Sequence, residues 1–98
     1  MDLPEGWYKT TDDDKRRLTQ ELRTEMIPGH FLDGKVIEVV GHRDGATDDI
    51  LCQHIDEADL FTVVHLTWSM KPEINIHHPT IEFSGTFAAF VKWEENFR

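Results

Sequence analysis

Cysteine is nearly absent: Cys52 is the single one in 98 residues. No intramolecular disulfide can form, and structural zinc frameworks built on several cysteines are excluded. No apolar run approaches the roughly 20 residues that span a bilayer, so no membrane partner is expected. The first residues, Met-Asp-Leu-Pro-Glu-Gly, lack the basic start and apolar stretch of a secretory signal, which makes the cytoplasm the expected location. Basic residues are also scarce, with 10 Lys and Arg against 19 Asp and Glu and a formal charge of −9. Such a field repels phosphates, which argues against a nucleic-acid partner. It steers a basic protein or a cation toward the surface instead. The chain has no glycine-rich phosphate loop, nucleophile elbow or zinc-hydrolase helix. The stretch Asp44-Gly45-Ala46-Thr47-Asp48-Asp49 lacks the alternating carboxylates and terminal Glu of a calcium loop. No cofactor is expected.

What is present describes one globular domain over residues 1–98, at 39% apolar and 30% charged composition. Trp7 and Tyr8 are suited to anchor the N-terminal segment. Thr11 with Asp14 has the spacing of a capping box, and Asp12, Asp13 and Asp14 suit the positive end of a helix dipole. Asp12 with Arg16 and Asp13 with Arg17 form i,i+4 pairs. Leu18, Leu22 and Met26 make an apolar stripe, and Pro28-Gly29 closes the element. From Lys35 the period becomes strand-like: β-branched Val36, Ile37, Val39 and Val40, then Ile50 to Ile55, then Leu60 to Trp68. The stretches 44–48 and 56–59 read as turns. Thr80-Ile81-Glu82-Phe83 alternates as a short fourth strand. Ser84 is placed to cap a final helix carrying Phe87, Phe90, Val91, Trp93 and Phe97. The expectation is an α+β fold: a three-stranded antiparallel meander, extended by that fourth strand, with one N-terminal and one C-terminal helix. Its elements are a helix near 11–26, strands near 35–43, 49–55 and 60–69, and a helix near 85–97.

Two registers suit the second hairpin. One places Leu51 and Ile55 with Leu60, Val64, Leu66 and Trp68. The other, one residue slipped, places Ile50, Cys52 and His54 there. The first gathers more large apolar side chains and is preferred on burial. Its core unites Leu66, Trp68 and Val64 with Phe87, Phe90 and Leu22. Its second face, with Ile50, Cys52, His54, Phe61, Val63, His65 and Thr67, is apolar enough to need a covering helix or a partner. A symmetric homodimer is the simplest such partner.

Gly29-His30-Phe31-Leu32, Asp48-Asp49-Ile50-Leu51 and Val63-Val64-His65-Leu66-Thr67-Trp68-Ser69 follow one another in this order. In that order the chain resembles a family of small uncharacterised bacterial proteins with a Val-His-Leu-Thr-Trp strand motif. The likeness covers roughly residues 14–90. It implies a bacterial single-domain α+β protein, and it marks His30, Asp48, Asp49, His65 and Trp68 as positions for any site. It implies no activity or cofactor. Two features depart from the family's pattern: the second hairpin is longer, and His78 stands before Pro79 where Trp is more usual.

Three chemistries compete. A metal site would draw on Cys52, His54 and His65, with His42 nearby, since thiolate and imidazole suit zinc. Three ligands on a flat strand pair make an unusual centre, and His77-His78 is weaker because adjacent side chains rarely converge. His65 is therefore expected to be partly buried, hydrogen-bonded to Asp49 or Thr67 and without metal. Catalysis of a hydrolase kind would use the trio His65, Asp49 and Thr67. The preferred expectation is a small acidic interaction module with a basic protein partner or a second copy of itself. Its contacts would involve His30, Asp48, Trp68, Phe61 and Val63.

Overall fold

The computed structural model describes residues 2–43 and 48–97. The expected turn at 44–47 and the side chain of Phe97 lie outside the described residues. The chain runs β1 (Trp7–Lys9), α1 (Asp12–Glu25), β2 (Ile37–Arg43), β3 (Asp49–His54), β4 (Phe61–His65), β5 (Thr80–Gly85) and α2 (Phe87–Phe97). The five strands form one antiparallel sheet in sequence order. The α+β class and the meander are as expected. The expected three strands are five, because Trp7–Lys9 adds an edge beside β2 and the short fourth element is a full strand beside β4.

Local chemistry sets the helix ends. Thr11 Oγ1 accepts from the Asp14 amide at 3.1 Å, and Asp14 Oδ2 accepts from the Thr11 amide at 3.2 Å, closing the capping box. The acid–base pairs form one residue closer than expected, Arg16 with Asp13 and Arg17 with Asp14, both i,i+3. Ser84 does not cap α2, because it lies within β5. Thr86 does so: its Oγ1 accepts from the Ala89 amide at 3.1 Å. The third expected strand ends at His65 and not near 69. Trp68 and Met70 adopt left-handed φ values of 56° and 59°, which no strand accommodates.

The hairpin register is the other one. Cys52 pairs with Thr62 and Leu51 with Val63, across a five-residue loop between His54 and Leu60. Ile50, Cys52 and Val64 therefore face α1, joining Leu18, Leu22, Leu32, Val39 and Leu66 in one core. Leu51, Phe61 and Val63 face the opposite way and pack on Phe90 and Trp7. The burial argument chose wrongly because it assumed one core, whereas each sheet face has its own helix. Val64, Leu66 and Leu22 do share a core, with Trp68 half-buried against it; Phe87 and Phe90 lie across the sheet. The face proposed for a homodimer is divided by the register: Ile50 and Cys52 lie under α1, and Phe61 and Val63 lie under α2, all buried within the chain.

Candidate functional site

Antiparallel pairing sets side chains from successive strands in rows. One such row crosses the α2 face at the end of the sheet. Trp7 pairs with Arg43, and Asp49 pairs with His65. Arg43 Nε donates to Asp49 Oδ2 at 2.9 Å, and His65 Nδ1 lies 2.7 Å from Asp49 Oδ1. Glu94, buried on the C-terminal half of α2, accepts from Arg43 Nη1 at 2.7 Å. The Arg43 guanidinium also lies over the Trp7 ring, 4.7 Å from its centroid.

Glu82 closes the row through a change of register. Val63 pairs with Phe83 but Val64 pairs with Ile81, so Glu82 is the extra residue of a β-bulge. The bulge turns it to the His65 face, where Oε1 stands 3.5 Å from His65 Nδ1. A similar slip at Val40, between Val39↔Cys52 and Gly41↔Leu51, shifts the face of the residues that follow it. It also brings Arg43 onto the Asp49 face.

The electrostatics follow from these distances. The hydrogen bond to Asp49 is the largest influence on His65 and, with the charges of Asp49, Glu82 and Asp48, raises its pKa against desolvation. Desolvation raises the Glu82 carboxyl, reinforced by the Asp49 charge. Burial works against the Arg43 charge, but Glu94 and Asp49 outweigh it and hold the guanidinium protonated. With Asp49 on Nδ1–H, neutral His65 presents Nε2 as its basic atom. His65 is the exposed end of the row, with 46% of its side chain accessible.

The sequence-predicted residues divide sharply. Asp49 and His65 come together as expected. Thr67 does not join them: its hydroxyl donates to Glu73, and its amide donates to Glu25 at 3.0 Å. Alternation was carried past His65, where the strand has already ended. Cys52 and His54 point to the α1 face, opposite His65, and cannot share an ion with it. His42 shares their face, its Nε2 3.7 Å from Asp14. His54 Nε2 is bonded to Thr62 Oγ1 at 2.7 Å, and burial lowers its pKa. Burial pushes the Cys52 thiol up to about 12, which leaves it inert at neutral pH.

His30 is buried, with Nδ1 accepting from the Leu32 amide at 3.1 Å and Nε2 donating to the Pro79 carbonyl at 2.8 Å. It ties the loop after α1 to the entry of β5 and is not placed to meet a partner. Trp68 packs on the α1 core beneath Arg17. The Asp48 carbonyl accepts from the Leu66 amide, continuing the β3–β4 ladder. Arg43, Glu82 and Glu94 were missed. Arg43 was the most findable, since it ends a strand opposite the Asp48-Asp49 pair.

Two grooves lie elsewhere. One of about 530 Å³ runs beside α1 and the start of β2, lined by Lys15, Thr19 and Glu38. The other, of about 460 Å³, is lined by Gly29, Phe31, Ile76, His77, Thr80 and Ile81. Comparison with protein-family models, curated proteins and solved structures returned no match to this chain. Among the described residues no helix is long and apolar enough to cross a membrane.

Proposed function

We propose that this chain is a small acidic interaction module that captures a basic protein segment at the Phe31–Ile76 groove. One observation carries the reading. Phe31 and Ile76 are 52% and 43% exposed where they border the same 460 Å³ groove, while neighbouring Leu32 is fully buried. Two large apolar side chains held in water at one depression are what a binding surface supplies and a solvated face avoids. The charge of −9 sets the sign of the partner: opposite charge accelerates encounter, and the apolar groove holds what arrives.

The experiment is cross-linking and affinity capture with the full chain at low and high salt, alongside Phe31→Ser and Ile76→Ser. The expected partner is basic, captured less well at high salt, and lost in both variants while their circular dichroism stays native. Capture that ignores salt, or that survives both substitutions, refutes the proposal. Self-association of the chain as the sole product refutes it as well.

A further inference from the structure

We infer that Asp49, His65 and Glu82 form a binding site for one divalent transition-metal ion, for which zinc is the natural probe. The inference is independent of the groove on the other side of β5. It also departs from the expectation that His65 is without metal, which considered Cys52, His54 and His42 as companions.

Three adjacent strands each contribute one donor: Asp49 from β3, His65 from β4 and Glu82 from β5. One oxygen of each carboxylate and one ring nitrogen lie within 4.8 Å of one another. Ligands about 2.0–2.1 Å from a tetrahedral ion stand about 3.3 Å apart. The His65–Glu82 separation of 3.5 Å already matches that spacing. The His65–Asp49 separation is 2.7 Å, so an ion replacing the shared proton needs the pair to open by about 0.6 Å. A small rotation of one side chain supplies this. One imidazole with two carboxylates is a donor set for zinc and its neighbours, not for calcium or magnesium, which favour oxygen alone. The exposed side of His65 leaves the remaining coordination position to water.

The surroundings resemble a metal site's outer shell. Arg43 Nε holds Asp49 Oδ2, turning Oδ1 toward His65, and Glu94 in turn holds Arg43. Three carboxylates, Asp49, Glu82 and Glu94, face one guanidinium. With His65 neutral the row carries two excess negative charges, which one dication cancels. The bulge at Glu82 matters most. With Phe83 held opposite Val63, an unbulged β5 would send Glu82 to the opposite face from His65, and the third ligand would be lost.

The test is calorimetric titration of zinc chloride into the full chain without a histidine tag, with native mass spectrometry for stoichiometry. One zinc per chain is expected. Apparent affinity should fall at least about 100-fold in His65→Ala and in Glu82→Gln, beyond what loss of an outer-shell partner causes. It should not change in the His77→Ala, His78→Ala double variant, which reports adventitious binding at the exposed loop. Zinc should also raise the melting temperature of the native chain but not of Glu82→Gln. Absence of saturable binding at millimolar zinc overturns the site. So does affinity that survives Glu82→Gln or is lost in the double variant. Glu82→Gln is isosteric and half-buried, so it decides the matter if His65→Ala does not fold.

Discussion

The segment after β4 leaves the sheet and crosses the end of α1 in an irregular path, and two helix carboxylates hold it there. Glu25 is fully buried; its Oε1 accepts from the Thr67 amide at 3.0 Å and its Oε2 from the Trp68 amide at 2.9 Å. Glu21 Oε2 accepts from the Met70 amide at 3.1 Å, and the Glu25 carbonyl accepts from the Glu73 amide at 3.0 Å. These bonds fix a backbone in which Trp68 and Met70 take left-handed φ, each costing about 1–2 kcal/mol. Desolvation, then the neighbouring Glu21, raises the Glu25 carboxyl to about 7 from 4.5. A hydrogen bond to the Glu21 carboxylate favours the protonated form of Glu25.

The sign follows from that pKa. Between about 4.5 and about 7 the folded chain holds a proton that the unfolded chain has released. This contribution to stability is complete below pH 4.5 and is lost as pH rises through 7. Its ceiling is about 3 kcal/mol, from 1.36 kcal/mol per pKa unit. In Glu25→Gln the titration disappears, and one amide N–H is left facing a donor, costing about 1–3 kcal/mol at every pH. Urea unfolding of both proteins at pH 5 and pH 7.5 isolates the effect, because every other carboxyl is common to them. The gain in stability from pH 7.5 to pH 5 should be smaller in Glu25→Gln by about 1–3 kcal/mol. Identical pH dependence in the two proteins would show that Glu25 is ionised in the fold and refute the reasoning.

Leu66 is buried in the α1 core, so Leu66→Ala should cost about 2–5 kcal/mol in denaturant unfolding; an unchanged midpoint contradicts the core assignment. Arg43→Met removes the cation from buried Glu94 and from Asp49. It should destabilise by about 3–5 kcal/mol, more than Arg16→Met at the exposed Asp13 pair, where the loss should stay below about 1 kcal/mol. Equal losses at the two positions would refute a buried ion pair. Cys52 should not react with thiol reagents in the native state and should react fully in urea, since burial holds its thiol near 12. Rapid native labelling would contradict the burial of Cys52 in the α1 core.

How much of this was legible in the sequence depends on the range over which each signal acts. The capping box of α1 uses side chains three residues apart and was fully visible in Thr11 and Asp14. The change from helical to strand period located β2, β3 and β4, because alternation is local. Register is not local. With Leu22 waiting on one side of the sheet and Phe90 on the other, both faces of β3 and β4 had to be apolar. Apolar character therefore stopped distinguishing the two pairings, and the odd loop between His54 and Leu60 decided them instead. Thr67 was assigned to the His65 face by an alternation that Trp68, in left-handed conformation, had no part in.

The candidate metal site shows the same limit more sharply. Asp49 and His65 were named together although the preferred register set them on opposite faces of the sheet; the observed register brings them opposite each other. Arg43 and Glu82 owe their places to single extra residues in β2 and β5, which no periodic reading counts. Alternation alone lets β3 serve both cores, and a bulge shifts the face of every residue beyond it. Val39 and Val40 turn to opposite helices as consecutive strand residues do, whereas Ile81 and Phe83 do so although two residues apart. A strand that changes face midway exposes its odd residue at the point of change. At β5 that residue is a glutamate, set among His65, Asp49 and Arg43. The two-sided core comes from alternation, whereas the charged row depends on the bulges. Deleting Glu82 should separate the two: regular pairing would keep Ile81 opposite Val64 and Phe83 opposite Val63, so the fold should survive while zinc binding is lost.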